Sequence, residues 1–291
     1  MNTAQFVLDN AETQPEAVKA KLIELHEKGE TVEDILEFVV ELQARQIKVP
    51  YPGKLTFDVC GTGGSGKSRI NLSTALALKL SKNYCIAKHG NKAASGRVGS
   101  FDIIETLNLP VGDTPEKVSQ QLKNYNLSFV FAPAFHPALK ALAPIRKEIP
   151  HPTIFNYLGP LLNPVPLAGQ MIGVPSLEVG DKLAQVCAHL NKNAALVHDT
   201  AFGLDDVSIG GATRFWAVGA NKEIRTGAFF PEDYGFKTVT DFAEIAGGSL
   251  VENQEIVKQL VAGTATQAQQ DFLAINAKVA AEFFDRMRQV V

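Results

Sequence analysis

Two strand-to-loop units in close succession constrain this chain more than anything else in it. The stretch FDVCGTGGSGKSRINLSTALALKLSKNYCIAKHGNKAASGRVGS runs from Phe57 to Ser100. Each of its apolar strands passes straight into a loop of glycines, hydroxyls and cations. Glycine has no Cβ, so the backbone turns tightly and aims successive N–H groups at one anion. Open α/β sheets collect ligands at such strand ends. Gly61 to Ser68 also satisfies G-x-x-x-x-G-K-[ST], the nucleotide P-loop pattern, with Lys67 and Ser68 as its working end. Ala194 to Asp199, apolar residues before an acid, offers a Walker B-like partner. A plain glycine-rich surface loop is the third reading.

Two features speak against the P-loop. Its helix starts at Gly-Lys-Ser and runs on, whereas here Arg69-Ile70-Asn71 follow and Asn71-Leu72-Ser73-Thr74 forms a second start. Asn71 is placed as the cap, and the free N–H groups with the Ser73 and Thr74 hydroxyls make an anion site of their own. The other loop, Lys88-His89-Gly90-Asn91-Lys92-Ala93-Ala94-Ser95-Gly96, has no place in a P-loop enzyme. Two such loops on adjacent strand ends suit a ligand with two phosphate groups.

Around this centre the periodicity changes along the chain. Residues 1 to about 50 read as helices only, with Val18, Leu22 and Leu25 on one face and Gly29 as a stop. Thr31 and Asp34 make a capping box ahead of the stripe Ile35, Leu36, Val39 and Leu42. Pro50, Pro52 and Gly53 mark a domain crossing. From Leu55 strands and helices alternate: strands at 55–60, 84–87 and 127–131, helices at 71–82 and 101–107, and a helix begun by Thr114-Pro115-Glu116. That rhythm predicts a parallel sheet with helices on its faces. Pro133 to Pro166 interrupts it, with one helix expected over Ala138 to Lys147, as an excursion back to the helical region. Strands at 171–174 and 194–197, a helix from Ser176 to Leu190, two further strands near Arg214 and Ile224, and helices over 254–262 and 267–290 follow. Phe202 and Phe215-Trp216 read as core.

The balance of 28 basic and 31 acidic residues gives no reason to expect nucleic acid or an anionic membrane as partner. No apolar run is long enough to span a bilayer, and the acidic N-terminus lacks the pattern of a signal peptide. Cys60, Cys85 and Cys187 lie far apart in apolar surroundings, which suggests reduced thiols in a cytoplasmic protein.

In order along the chain, GTGGSGKSRINLST resembles GTGGDGxxTFNxST, KHGNKAASG resembles KHGNRxxS, TIFNYLGPLLNP resembles FNxLGPLxNP and GLDDVS resembles GLDExS. FAPAFHPALKALAPIRKEI resembles the substrate segment of the same set. These are the blocks of the anthranilate phosphoribosyltransferases, and the resemblance runs from about Gly29 to Ala277. It implies a small all-helical domain beside a larger α/β domain with a central, mostly parallel sheet and flanking helices. The expected division is 1–52 with about 137–168, against 53–136 with about 169–291.

The implied reaction moves the phosphoribosyl group of phosphoribosyl pyrophosphate onto the amine of anthranilate, a step of tryptophan biosynthesis. By matched position, Gly61, Gly64, Asn71, Ser73, Thr74, Lys88, Ser95 and Ser100 would hold phosphoribosyl pyrophosphate, with Ser65, Arg69, Leu72, Gly90 and Gly96 in the same loops. Ser73, Asp205 and Asp206 would bind Mg²⁺. Asn91 and Arg146 would bind anthranilate, with His89 and His136 lining that pocket and His89 and Arg146 the candidates for a chemical role. The resemblance also implies a homodimer through the helical domain. On residues alone, Asp205-Asp206 also reads as a solvated turn, Arg146 as a surface charge and His136 as a turn start. Four positions depart from the family's pattern: Ser65 replaces an acid, Arg69 a threonine, Lys92 an arginine and Asp206 a glutamate. A non-catalytic relative binding a phosphoribosyl ligand, a P-loop nucleotide enzyme and a nucleoside phosphorylase are the rival readings.

Overall fold

The computed structural model describes residues 2–63, 66–67, 70–92, 100–219 and 221–290. The chain opens with three helices, α1 (Thr3–Asn10), α2 (Pro15–Lys28) and α3 (Val32–Arg45). α1, which the hydrophobic pattern did not single out, is fixed by a capping box: the Asn2 side chain accepts from the Gln5 N–H at 2.8 Å and Gln5 returns the bond. α3 starts on the expected Thr31–Asp34 box and buries Ile35, Phe38, Val39 and Leu42.

Alternation then builds one sheet. β1 (Thr56–Gly61), α4 (Leu72–Leu80), β2 (Cys85–Gly90), α5 (Ser100–Thr106), β3 (Val111–Gly112), α6 (Pro115–Tyr125) and β4 (Leu127–Phe131) come first. The short helices α7 (Ala132–Phe135), α8 (Leu142–Lys147) and α9 (Phe155–Leu158) follow. β5 (Gly169–Gly173), α10 (Leu177–His189), β6 (Ala194–Asp199), β7 (Thr213–Val218), β8 (Ile224–Phe229), α11 (Leu250–Ala262) and α12 (Gln267–Val290) complete the chain. The strand order is β3-β4-β2-β1-β5-β6-β7-β8. All pairings are parallel except β6–β7 and β7–β8, so the sheet is mostly parallel with an antiparallel edge. β5 and β6 are buried at every residue, as strands covered on both faces must be.

One apolar cluster joins α4, β1, β2 and α12, where the rings of Phe57 and Phe284 stack at 4.3 Å. A second joins Val18, Leu22, Ile35 and Phe38 to Leu142, Ile145, Phe155 and Leu161, so the proline-rich excursion does pack on the N-terminal helices. That cluster continues onto Ile172, Leu183, Leu196 and Trp216 of the sheet layer. Among the described residues no helix is long and apolar enough to cross a membrane.

Two local expectations are corrected. The helix expected over 138–147 is broken into a 3₁₀ turn at Pro137–Leu139 and α8. Pro144 has no N–H to bond the Lys140 carbonyl, and proline is tolerated only in the first turn of a helix. Asn71 precedes α4 but makes no side-chain cap; its Oδ1 instead accepts from the Thr74 hydroxyl at 3.3 Å. Trp216 is core, as expected, and donates to Asp181 Oδ1 at 2.7 Å.

Gly180 of α10 lies against the Trp216 ring, and a Cβ there would collide with it. Helix propensity alone would favour Gly180→Ala by about 1 kcal/mol. Overpacking costs about 1–3 kcal/mol and wins. Urea unfolding of Gly180→Ala is therefore expected to show a net loss of stability.

Candidate active site

A cleft of about 980 Å³ opens at the carboxyl ends of the central strands. From β1 the chain first steps to β2 on one side and only later, through β5, fills the other. That reversal leaves a crevice over the strand ends. β1 and β5 end abreast in Gly61 and Gly173, which are register partners. A Cβ on Gly61 would collide with the Asp205 carboxylate, and one on Gly173 with the Asp205 carbonyl. Asp205 thus sits directly on two bare strand ends. From there its Oδ2 accepts the Gly63 N–H at 3.1 Å, while the Thr62 N–H bonds the Gly173 carbonyl at 2.9 Å.

The same loop separates the parts a P-loop would bring together. Asp199 Oδ1 accepts from the N–H groups of Ala201 and Phe202 at 2.8 and 3.0 Å, which makes it a turn cap. Lys67 donates to the Phe202 carbonyl and lies 5.5 Å from the Phe242 ring. Lys67 does line the cleft, but it ties the first loop to the segment after β6.

Lys88 and His89 end β2, and both are buried while lining the cleft. His89 Nδ1 is 3.1 Å from the Gly159 carbonyl. A carbonyl only accepts, so Nδ1 carries the proton and Nε2 keeps its lone pair. Nε2 is buried with no hydrogen-bond partner among the described residues. Burial, then His136 and Lys88, push the His89 pKa down to about 3. Burial brings His136 to about 4, and the two rings meet edge to face at 5.4 Å. Both imidazoles are neutral at pH 7.

Arg146 comes from the last turn of α8, with its guanidinium 5.1 Å from the Phe155 ring. Desolvation lowers its pKa, and no acid among the described residues pairs with it. Asn91 follows Gly90, its Oδ1 accepting the Lys92 N–H at 2.7 Å. Lys92 turns instead to Glu105, with an ion pair of 2.8 Å.

The cleft brings together Gly61, Asn71, Ser73, Lys88, His89, Gly90, Asn91, Ser100, His136, Arg146, Asp205 and Asp206. Leu72 and Thr74 are buried in α4 and do not line it. Gly64, Ser65, Arg69, Ser95 and Gly96 lie outside the described residues. Sequence reasoning missed Asp58, Asn163 and Gly159. The last two stand in the quoted TIFNYLGPLLNP block, and an acid inside the apolar strand FDVC was itself a signal. It also missed Asp102, Ser249 and Asn253, which line the cleft through the packing of α5 and α11. No local pattern marks those three.

The sheet and its strand-end cleft define an α/β glycosyl transferase: the family model described as "Glycosyl transferase family, a/b domain" matches residues 53–289. The anthranilate phosphoribosyltransferase of Herpetosiphon aurantiacus is 36% identical over 272 residues, covering 93% of this chain and 80% of that protein. That of Dictyoglomus turgidum is 36% identical over 285 residues, covering 97% and 84%. The crystal structure of the Thermus thermophilus enzyme superposes with a TM-score of 0.84 at 31% identity, over 94% of this chain and 81% of that one. The Saccharomyces cerevisiae enzyme in complex with PRPP and Mg also gives 0.84, at 25% identity, over 96% and 82%. The chain belongs to the anthranilate phosphoribosyltransferase family.

The buried histidines set a pH dependence. Their folded pKa values lie below the usual 6.5, so the unfolded chain binds more protons and stability falls as pH drops below about 6.5. Asp58, raised to about 6 by burial, works in the opposite direction as pH falls from 6 to 4. Unfolding measured at pH 7 and pH 4.5 should show His136→Gln flatter than the parent by about 2 kcal/mol.

Proposed function

We propose that the chain transfers the phosphoribosyl group of 5-phosphoribosyl 1-pyrophosphate to the amine of anthranilate, releasing pyrophosphate. The observation that carries this reading is that one cleft is lined by two unlike sets of side chains. We assign Lys88, Ser73 and Asn71 to its phosphate end, and Arg146 with the two neutral imidazoles to its acceptor end.

At the first end the C1–O bond of the sugar breaks and pyrophosphate leaves with the electron pair. Positive charge develops on the ribosyl ring, as in glycoside cleavage. Lys88 would stabilise the charge that grows on the leaving group. At the second end Arg146 takes the anthranilate carboxylate as a fork-shaped donor, held over Phe155. The amine lone pair forms the C1–N bond, and the proton that the nitrogen then sheds goes to the departing pyrophosphate or to water. The lone pair on His89 Nε2 accepts a hydrogen bond from that amine, and neutrality of both imidazoles avoids repelling the ribosyl cation. Little covalent chemistry is asked of the protein; orientation dominates.

Ser73, Asp205 and Asp206 line the cleft and offer hard oxygen donors, which suit Mg²⁺. Bound there, Mg²⁺ would neutralise charge on the pyrophosphate. We also infer the two-part division of the chain at about residues 52, 137 and 168, and a homodimer through the α1–α3 region, where Val40 and Ile47 stay exposed. The three free thiols suit a cytoplasmic setting.

Mixing the protein with phosphoribosyl pyrophosphate, Mg²⁺ and anthranilate should consume anthranilate fluorescence. Lys88→Ala and Asn71→Ala are each expected to lower kcat/KM by about tenfold or more, and Arg146→Ala to raise the anthranilate KM by a similar factor. Lys67→Ala should do less harm than either loop variant. ATP binding abolished by Lys67→Ala, with no turnover of anthranilate, would overturn the reading.

A further inference from the structure

Asp58 lies inside β1, three residues before the strand ends in the first loop, and has no exposed surface. An acid so placed needs partners, because an isolated carboxylate is costly to bury. Its Oδ1 accepts from the His89 N–H at 3.3 Å, and its Oδ2 accepts from Asn163 Nδ2 at 2.9 Å. The same Nδ2 donates to the Ala87 carbonyl at 2.8 Å. Asn163 is itself held, its Oδ1 accepting the Val165 N–H at 3.0 Å. The two bonds to β2 fall on Ala87 and His89, the residues on either side of Lys88. Lys88 is 2% exposed and lines the cleft.

Charge points the same way as geometry. Burial is the main influence on the Asp58 carboxyl, and the Lys88 ammonium is the first of those that oppose it. The other titratable groups that bear on Asp58 are Cys60 of its own strand and Lys192 from the turn after α10. Neither replaces Lys88: Cys60 is a half-buried thiol that burial and Asp58 keep protonated, and Lys192 does not line the cleft.

We propose that Asp58, braced by Asn163, is a positioning residue for Lys88: Asp58 holds the His89 N–H and Asn163 the Ala87 carbonyl on either side of that lysine, and Asp58 supplies the buried negative charge that fixes its ammonium toward the substrate phosphates. This inference rests on Lys88 binding phosphoribosyl pyrophosphate and adds a requirement to it. Neither Asp58 nor Asn163 lines the cleft. The part of their effect that runs through Lys88 falls on phosphoribosyl pyrophosphate and vanishes when that side chain is gone.

The test is a double-mutant cycle on Asp58→Asn and Lys88→Met in the full chain, reading phosphoribosyl pyrophosphate affinity by titration calorimetry and both KM values by turnover. Asp58→Asn keeps the shape, removes the charge and turns one of the two accepting oxygens into a donor. It should weaken phosphoribosyl pyrophosphate by about tenfold while moving the anthranilate KM by no more than about twofold. In the Lys88→Met background the same change should cost about twofold or less, because its target is absent. Asn163→Ala keeps the Asp58 charge and should weaken the same substrate by a smaller factor, which provides a readout if Asp58→Asn does not fold. Equal losses for both substrates, additive effects in the cycle, or unchanged affinity in folded Asn163→Ala would overturn the proposal. Failure of the parent protein to bind phosphoribosyl pyrophosphate would instead remove the functional reading, and this inference with it.

Discussion

The seating of Asp205 on Gly61 and Gly173 is the contact on which the rest of the site depends. Side chains on either strand end would fill the space that its carboxylate and carbonyl occupy. With both bare, the segment after β6 comes down onto the sheet, and one carboxylate oxygen reaches the N–H of the first phosphate loop. Asp199 then caps the turn that leads there, and Lys67 ties the same turn back to the loop. Three chain segments, distant in sequence, are held in one arrangement by a polar residue that glycine admits. A buried carboxylate needs this kind of partnership, since without hydrogen bonds its desolvation would outweigh any gain from packing.

The second loop follows a different logic. Lys88 and His89 are consecutive on β2, yet one faces the cleft as a cation and the other as a neutral base. The distinction comes from what lies beneath and behind them. The Asp58 carboxylate of the next strand bonds the backbone beside the lysine, whereas the Gly159 carbonyl takes the proton on the imidazole Nδ1. Gln170 adds a bond to the Pro160 carbonyl at 3.0 Å. The block from Gly159 to Val165 therefore meets β1, β2 and β5 through side-chain hydrogen bonds, and it carries the polarity of the cleft as much as its shape.

Much of this was legible in the residues. The alternation of strand and helix, the caps at Thr31, Thr114 and Ser176, and both glycine-rich loops follow from local chemistry, and the structure places the caps as expected. Local chemistry also explains the misreadings. Asn71 stands where a cap belongs, but its oxygen is taken by Thr74, a competition that spacing cannot decide. The helix over 138–147 was read through Pro144, where the apolar pattern continued although the hydrogen bonding could not. The P-loop match was a true pattern on a backbone whose lysine has another partner. Asn253 and Asp102 were out of reach because they meet the cleft only through the packing of α5 and α11.

The separations between contacting residues have a consequence for how the molecule comes to exist. Asp58 and Asn163 are 105 residues apart, and Gly63 and Asp205 are 142 apart. The helical pairings at the N-terminus close over much shorter distances; Gln5 meets Glu41 across 36 residues. Closing long loops costs entropy before any contact repays it, so contacts of this kind form late. During synthesis β1 leaves the ribosome with its acid and its glycine-rich end long before either partner is made. For that interval the strand that will hold the phosphate loop carries an unpaired carboxylate in an otherwise apolar run, and that charge works against premature strand association until Asn163 arrives to cover it.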